Sequence, residues 1–202
     1  MKTFWDERYS QKEYVYGTEP NEFFRDQLPL LEPKNILLPA EGEGRNAVYA
    51  ARLGWSVHAF DQSTEGRKKA LALAARNIVN ILYEIADVLT VQLPHNHFDA
   101  IGLFYAHFPA QQREQIHAQF LSSLRPNGTI IFEAYSTEQI RYQEQYGSGG
   151  PQQKELLFTV NDVEHLFPNC EFLLLEEKEI VLNEGIFHKG KASVIRCVAR
   201  KR

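Results

Sequence analysis

Three segments place glycines or carboxylates where buried strands are expected to end. The first, Pro39-Ala40-Glu41-Gly42-Glu43-Gly44, follows an apolar run and directly precedes a helical pattern. Glycines there let the backbone turn sharply and approach a ligand, and the following helix offers free N–H groups at its positive end. Asp61 and Asp87 end the next two strand-like segments. Because ligands bind at the carboxyl ends of strands in open α/β sheets, these segments predict a binding site.

This set of side chains suits an adenosine-containing cofactor. Asp61 can accept hydrogen bonds from both ribose hydroxyls; its alternative role is a cap for the next helix, for which Ser63 is already available. Asp87 can accept the adenine amino group, and its alternative role is that of an ordinary loop acid. A Gly-rich turn alone is a weak signal, and two acids at consecutive strand ends make it more specific.

The same residues leave an NAD-dependent oxidoreductase open. Gly42-x-Gly44-x-x-Ala47 satisfies the dinucleotide pattern, and Asp61 lies at a suitable distance after it. A dehydrogenase also needs further strands or a substrate domain that carries a proton donor, and a chain of 202 residues is short for that. Fluorescence enhancement of a reduced nicotinamide cofactor by the protein would favour this alternative.

Strand-like and helix-like segments alternate, which predicts an α/β fold with a mostly parallel sheet covered on both faces. The expected strands are residues 35–40, 55–60, 80–86, 98–105 and 129–135, and the expected helices are 44–53, 63–76, one opened by Pro109, and 159–167 with a capping box at Thr159. Residues 171–182 and 191–200 should form a terminal hairpin. The polar segment 136–156 predicts a long loop with one helical turn.

We expect a single domain, 1–202, with a core at 34–202 and an N-terminal helical cap at 1–33. The cap carries aromatic residues in a polar background: Phe4, Trp5, Tyr9, Tyr14, Tyr16, Phe23 and Phe24. Packing on the sheet accounts for most of them, and a lid that closes over a ligand is the functional alternative. Glycines in the loop 136–153, together with the segment 185–190, should allow closure over a second ligand.

Composition excludes several classes of protein. A nucleic-acid binder needs a basic surface, whereas this chain has a net charge of −4 and a pI near 6.0, so no nucleic-acid partner is expected. No apolar run reaches the roughly 18 residues of a membrane span, and the polar segment Met1–Ser10 is not expected to act as a signal peptide. Cys170 and Cys197 are expected to be buried free thiols in the cytoplasm. The seven histidines are scattered, so no metal is expected.

The residues resemble class I S-adenosylmethionine-dependent methyltransferases, in particular the small bacterial branch related to tellurite-resistance and thiopurine methyltransferases. The resemblance covers most of the chain, and the order of its segments is more specific than any one of them. The segments are Trp5–Tyr9, Tyr16–Asn21, Ile36–Asp61 with Gly42-Glu43-Gly44-Arg45-Asn46-Ala47-Val48 at its centre, Asp87, Phe98–Ile101 and Leu124–Gly128.

The resemblance implies a Rossmann-like, doubly wound sheet of seven strands in the order 3-2-1-4-5-7-6, with the last strand antiparallel and helices on both faces. It also implies that S-adenosylmethionine is bound and S-adenosylhomocysteine released, with the methionine part at the Gly-rich turn, the ribose at Asp61 and the adenine at Asp87. The expected cofactor-binding residues are Ala40, Glu41, Gly42, Gly44, Arg45, Asp61, Gln62, Ala86, Asp87, Val88 and Tyr105.

The chain departs from the pattern of the family before the turn. The family usually has an acid at position 38, glycine at 40 and a small residue or cysteine at 41, whereas this chain has Leu38, Ala40 and Glu41. Glu41 replaces the missing acid by pairing with the ammonium group of the cofactor, or else it is a solvent-facing loop charge. These departures leave open a non-catalytic module that only binds the cofactor.

The methyl acceptor is expected beyond the fourth strand, in the segment Phe104–Pro109. His107 is the candidate base or orienting group there, and the alternative is a cap for the next helix. Tyr105 is the second candidate catalytic residue, and no metal is required. The expected acceptor-binding residues are Trp5, Tyr16, Glu133, Tyr135 and Arg113. Arg113 and His117, one helical turn apart, could bind an anionic acceptor, but a surface position is preferred for them. A turn position is preferred for His188, and entry into the site is its alternative.

The acceptor itself is expected to be a small molecule, and the enzyme a monomer or weak homodimer. Tellurite, thiols, halides and small heterocycles remain open, because variable segments build acceptor pockets in this fold. No Asn-Pro-Pro-Tyr or Asp-Pro-Pro-Tyr run follows the fourth strand, which weighs against methylation of nucleobase amino groups.

Overall fold

The computed structural model describes residues 2–202, whose strands form one sheet. In chain order the strands are β1 (Asn35–Pro39), β2 (Ser56–Asp61), β3 (Leu82–Ile85), β4 (Phe98–Phe104), β5 (Leu124–Tyr135), β6 (Cys170–Glu184) and β7 (His188–Lys201). Their order across the sheet is β3-β2-β1-β4-β5-β7-β6, and β7 runs antiparallel to both β5 and β6. The predicted Rossmann-like sheet of seven strands is therefore confirmed, including its antiparallel last strand.

Helices connect most of the strands. In chain order they are α1 (Lys2–Tyr9), α2 (Glu22–Gln27), α3 (Arg45–Arg52), α4 (Thr64–Arg76), α5 (Ala110–Ser123), α6 (Gln139–Tyr146) and α7 (Val160–Leu166), with single 3₁₀ turns at Leu28–Leu30 and Lys154–Leu156. The chain divides into two compact units, one up to Gln92 and one from Leu93 to Arg202. The single domain of residues 1–202 stays a prediction.

The first unit is built on parallel strands buried on both faces. Ile36, Leu37 and Leu38 of β1 are fully buried, as expected of a central parallel strand. α3 ends at Arg52 and is followed by Gly54, whose φ of +89° suits a residue without a side chain. α1, α2 and the first 3₁₀ turn lie within the predicted cap segment 1–33, whose role as a cap stays a prediction, and Met1 lies outside the described residues.

The second unit contains the terminal hairpin, which is longer than predicted. β6 and β7 pair from Cys170 with Lys201 to Glu184 with His188. The predicted capping box of α7 is confirmed: the Thr159 hydroxyl accepts a hydrogen bond from the Asp162 N–H, and the Asp162 carboxylate accepts one from the Thr159 N–H.

The loop prediction for residues 136–156 is wrong over α6. This helix has no apolar stripe that a sequence pattern would reveal. It is held instead by its buried first residue, Gln139, whose amide donates to the Ser148 hydroxyl and the Gly149 carbonyl and accepts from the Ser193 N–H of β7. A polar anchor of this kind depends on partners far away in the chain.

Within residues 2–202, no helix is long and apolar enough to cross a membrane. The same residues contain no group of three or more His, Cys, Asp or Glu side chains placed to hold a metal ion. Cys170 and Cys197 are both buried and free, as predicted.

Candidate functional site

The Gly-rich turn, residues 40–44, leaves β1 through three left-handed backbone positions. φ is +51° at Ala40, +62° at Gly42 and +87° at Gly44. A Cβ on Gly42 would lie 2.6 Å from the Tyr9 hydroxyl, and a Cβ on Gly44 would overlap α4. Glycine is therefore required at both positions, by φ and by space. Ala40 adopts the same region with a side chain, at an energetic cost that glycine avoids.

Replacing Ala40 with glycine is expected to raise the free energy of unfolding by about 1 kcal/mol, because the left-handed strain of an alanine is removed. The matched control is Ala72→Gly, at an exposed position inside α4, which should lower it by about 1 kcal/mol. Urea unfolding measures both changes. Equal losses of stability in the two variants would contradict the strain assigned to Ala40.

Asp61, at the end of β2, ties the Gly-rich turn to the start of α4. Its carboxylate accepts hydrogen bonds from the Gly42 N–H, at 3.1 Å, and from the Ser63 N–H, at 2.8 Å. Ser63 caps α4 itself, as predicted, because its hydroxyl accepts from the Gly66 N–H. Burial, with a smaller contribution from the charge of Asp6, raises the pKa of Asp61 to about 6. Further hydrogen-bond donors, or a cation, would therefore stabilise the ionised form of this buried acid.

Glu41 is not a solvent-facing loop charge. Its carboxylate accepts hydrogen bonds from the Ala47 N–H, at 2.8 Å, and from the Asn46 amide, at 3.5 Å. It thereby satisfies the first turn of α3, whose N-cap residue Gly44 has no side chain. Burial raises the pKa of Glu41 to about 7. Contact of this carboxylate with an ammonium group stays a prediction.

Glu43 joins the Gly-rich turn to the N-terminal segment, a role that the sequence did not reveal. Its side chain is 4% exposed. One carboxylate oxygen accepts from the Val15 N–H, at 2.8 Å, and more weakly from the Tyr16 N–H, while the other pairs with Lys69 of α4 at 2.7 Å. Arg45, predicted to bind the cofactor, is buried and donates to the Tyr16 carbonyl. Local sequence carries no signal for such distant partners.

The N-terminal aromatic residues stack beside the Gly-rich turn. Trp5 stacks on Tyr9 with ring centroids 5.4 Å apart, and Tyr9 meets the edge of Tyr16 at 6.4 Å. Asp6, another residue that sequence reasoning missed, accepts hydrogen bonds at the start of α4 from the Ser63 hydroxyl and the Thr64 N–H. The N-terminal cap is therefore fixed to the start of α4 by Asp6 and to α3 by the bond from Arg45 to the Tyr16 carbonyl. Its opening as a lid stays a prediction.

The end of β3 lies at the surface. The Ala86 N–H donates to the Asp61 carbonyl, which aligns the ends of β2 and β3. Asp87 is exposed, and its carboxylate accepts from the Leu89 N–H, at 2.9 Å. The predicted positions Gln62 and Val88 flank these strand ends. The exposed carboxylate of Asp87 is thus accessible to a ligand, and its adenine-binding role remains a prediction.

In the second unit, a strained tyrosine directly follows β4. Tyr105 has a φ of +53°, an outlier for a bulky residue and a conformation that often marks functional sites. Its hydroxyl donates to Glu133 at 2.8 Å, and the other carboxylate oxygen of Glu133 pairs with Arg196 at 2.5 Å. Burial and the charge of Glu133 raise the pKa of Tyr105 well above its ordinary value. Tyr105 is accordingly neutral and held in one orientation.

Around Tyr105 lies an aromatic cluster, which we define as Tyr105, His107, Tyr135 and His188. The His188 ring is 4.4 Å from the Tyr105 ring, and the His107 ring stacks on Tyr135 at 5.7 Å. The turn position preferred for His188 is wrong: this residue begins β7, is buried, and pairs with Glu184 at 3.4 Å. Of the predicted acceptor residues of this unit, Tyr135 lies in the cluster and Glu133 is bonded to it through Tyr105, whereas Arg113 is not part of it. His188 joins the cluster without having been preferred for it.

Arg113 and His117 are not on the surface. Arg113 is buried on α5, donates to the carbonyls of Glu155 and Leu157, and lies over the Phe158 ring at 4.1 Å. Its guanidinium therefore clamps the segment before α7. His117 is 1% exposed among aromatic rings of the core. The surface alternative for both residues is wrong, because helix α5 turns this face inward.

Comparison with known proteins agrees with this fold. Residues 36–128 match the protein family described as "Methyltransferase domain". Phosphoethanolamine N-methyltransferase of Plasmodium falciparum is 23% identical over 198 residues, which cover 92% of this chain and 74% of that protein. These matches favour the methyltransferase interpretation over the NAD-dependent one.

Two solved structures share the fold at low identity. TehB from Haemophilus influenzae superposes with a TM-score of 0.72 at 17% identity, over 100% of this chain and 67% of TehB. The N-methyltransferase NodS from Bradyrhizobium japonicum, solved with S-adenosylhomocysteine, gives 0.71 at 13% identity, over 99% of this chain and 97% of NodS.

Proposed function

Since the chain belongs to the class I S-adenosylmethionine-dependent methyltransferases, by its domain at residues 36–128 and by its fold, we propose that it methylates a small-molecule acceptor. It acts in the cytoplasm as a monomer or weak homodimer, without a nucleic-acid or membrane partner. S-adenosylmethionine is its cofactor. The small-molecule class of the acceptor is the more specific part of this proposal.

The residues of the first unit fit the chemistry of that cofactor. S-adenosylmethionine carries a cationic sulfonium, an ammonium group and ribose hydroxyls that donate hydrogen bonds. Burial raises the pKa of Glu41 and of Asp61. A cation or a hydrogen-bond donor on the ligand would therefore stabilise the ionised form of each carboxylate. Gly42 has no room for a Cβ, so the Gly-rich turn packs directly against Tyr9.

The observation that carries the proposal is the position of the Asp61 carboxylate, which is 7% exposed and bonded to both the Gly42 and Ser63 N–H groups. Those two bonds fix its orientation and leave acceptor capacity on a carboxylate that has about four lone-pair sites. We therefore assign the ribose hydroxyls to Asp61, the methionine part to the Gly-rich turn with Glu41, and the adenine to the Ala86-Asp87-Val88 segment.

When bound, the cofactor supplies a methyl group on a positively charged sulfur, which is an electrophile. The protein has to orient the acceptor, exclude water and remove a proton where the acceptor carries one. Trp5, Tyr9 and Tyr16 supply the apolar cover beside the turn. In the second unit, Nε2 of His107 accepts a hydrogen bond from the acceptor, and Tyr105 orients it.

The acceptor class can be tested with isotope-labelled S-adenosylmethionine. The purified protein is incubated with the labelled cofactor and a cell extract that has been separated by dialysis into small molecules and macromolecules. We expect the label to appear only with the small-molecule fraction, and only with active protein. Label on protein or nucleic acid would contradict the small-molecule acceptor, and no transfer to either fraction would favour a module that only binds the cofactor.

A further inference from the structure

The tautomer of His107 is fixed by one hydrogen bond. Its Nδ1 lies 2.8 Å from the Leu156 carbonyl oxygen, and a carbonyl oxygen only accepts. Nδ1 therefore carries the proton, and Nε2 carries a lone pair. Nε2 is buried and makes no hydrogen bond to any residue in the range 2–202. A buried acceptor of this kind is costly to leave unpaired, so it favours a ligand that donates.

Burial also keeps this histidine neutral. It lowers the pKa of His107 to about 4, so the ring is uncharged at neutral pH and Nε2 remains an acceptor. The rings beside it are flat and largely apolar: Tyr135 is stacked parallel to within 13°, and Phe158 lies 6.0 Å away. Both rings pack against His107 itself, so the surroundings of Nε2 are aromatic and suit an aromatic, planar ligand.

The arginines near the aromatic cluster have partners. Arg196 pairs with Glu133, and His188 lies 3.4 Å from Glu184. The guanidinium of Arg113 donates to backbone carbonyls. An anionic acceptor would therefore meet the carboxylates of the buried Glu133 and the half-buried Glu184, while both arginines are already engaged.

A second histidine, His117, makes similar bonds in a purely structural position. His117 also bonds a carbonyl oxygen through Nδ1, has a buried Nε2 without a hydrogen bond to the described residues, and has its pKa lowered to about 4. Phe108, Phe120 and Phe167 enclose it in the core. His107 differs because it is only partly buried as a residue and adjoins the polar groups at the end of β4.

We propose that the acceptor is a neutral, planar molecule that donates a hydrogen bond from the atom to be methylated to Nε2 of His107. A phenolic hydroxyl, an aromatic thiol and a heteroaromatic N–H meet this description, whereas tellurite and halide ions do not. The inference rests on the proposed function and narrows its acceptor class.

The test uses three probes of similar size: phenol, which donates; anisole, in which the donor is blocked by a methyl group; and benzoate, an anion. Binding is followed by the imidazole nitrogen signals of ¹⁵N-labelled protein. We expect phenol to bind about tenfold more tightly than anisole and benzoate, and to shift the Nε2 signal of His107. H107F should bind phenol and anisole alike, whereas the matched control H117F should keep the preference.

Equal binding of phenol and anisole, tighter binding of benzoate, or no binding of any probe to the wild-type protein would overturn the inference. If H107F does not fold, the Nε2 signal of the wild-type protein still decides the question. S-adenosylhomocysteine is titrated into the same samples. Cofactor binding without a phenol preference refutes the acceptor class alone, while loss of cofactor binding by the wild-type protein refutes the proposed function.

Discussion

Replacing Gly44 with alanine is expected to destabilise the protein by about 3 kcal/mol, the largest loss expected of any single methyl group in the Gly-rich turn. Two costs add together. The φ of +87° is unfavourable for alanine, and the new Cβ would lie 2.4 Å from the Cβ and 2.7 Å from the Cα of Ala70 in α4. Relief of the second contact requires α3 and α4 to move apart, which also moves the carboxylate of Asp61.

Gly147 provides the matched control for this change. Its φ is +63°, and a Cβ there would meet nothing within 4 Å. Gly147→Ala should therefore show the backbone cost alone, about 1 kcal/mol. Ala70→Gly should restore part of the stability lost in Gly44→Ala, because it removes one of the two clashing carbons. Urea unfolding of Gly44→Ala, Ala70→Gly and the variant that carries both changes measures the coupling, with Gly147→Ala unfolded beside them. Similar losses in Gly44→Ala and Gly147→Ala would refute the packing role.

The affinity for S-adenosylhomocysteine is expected to fall steeply at acid pH. In the free protein the pKa is about 6 for Asp61 and about 7 for Glu41, so both carboxyls hold protons as the pH falls through this range. Donors and cations on the ligand favour the ionised carboxylates, so binding lowers both pKa values and releases protons. Affinity is thus fully present above pH 7 and is lost as the pH falls, by up to about tenfold per unit for each carboxyl.

Isothermal titration in buffers of different ionisation enthalpy measures both the affinity and the protons released. Glu41→Gln and Asp61→Asn each remove one titrating group and should each flatten part of the pH profile. Asp6 and Glu43 are unchanged in both variants, so the pH profiles of the two variants can be compared directly. An affinity that does not change between about pH 5 and about pH 8 would show that neither carboxylate faces the ligand.

The sheet was predictable because its signals are local. Each strand from β1 to β3 is a short run that ends at or near a glycine or an acid, β4 is a nearly continuous apolar run, and the hairpin of β6 and β7 is bounded by turn residues. Small errors arose at strand ends: β5 begins at Leu124, because the Pro126–Gly128 turn is accommodated within the strand by a positive φ at Asn127. Periodicity predicts which elements exist better than where they begin.

The candidate site was only partly predictable, because its polar partners are far apart in the chain. Glu43 was indistinguishable from a loop charge until folding placed it on Val15 and Lys69. His188 likewise reads as a turn residue, and only the antiparallel return of β7 brings it to Tyr105. Residues that end strands could be assigned from sequence, whereas residues that join separate segments could not.

The central claim is that Asp61 and the Gly-rich turn hold S-adenosylmethionine. Isothermal titration of the purified protein with S-adenosylhomocysteine, repeated on Asp61→Ala, tests it most directly. Micromolar affinity in the wild-type protein is expected, with a loss of about 100-fold or more in a folded Asp61→Ala variant, since a buried charged hydrogen-bonding group is removed. No binding to folded wild-type protein, or equal binding to both proteins, would contradict the claim.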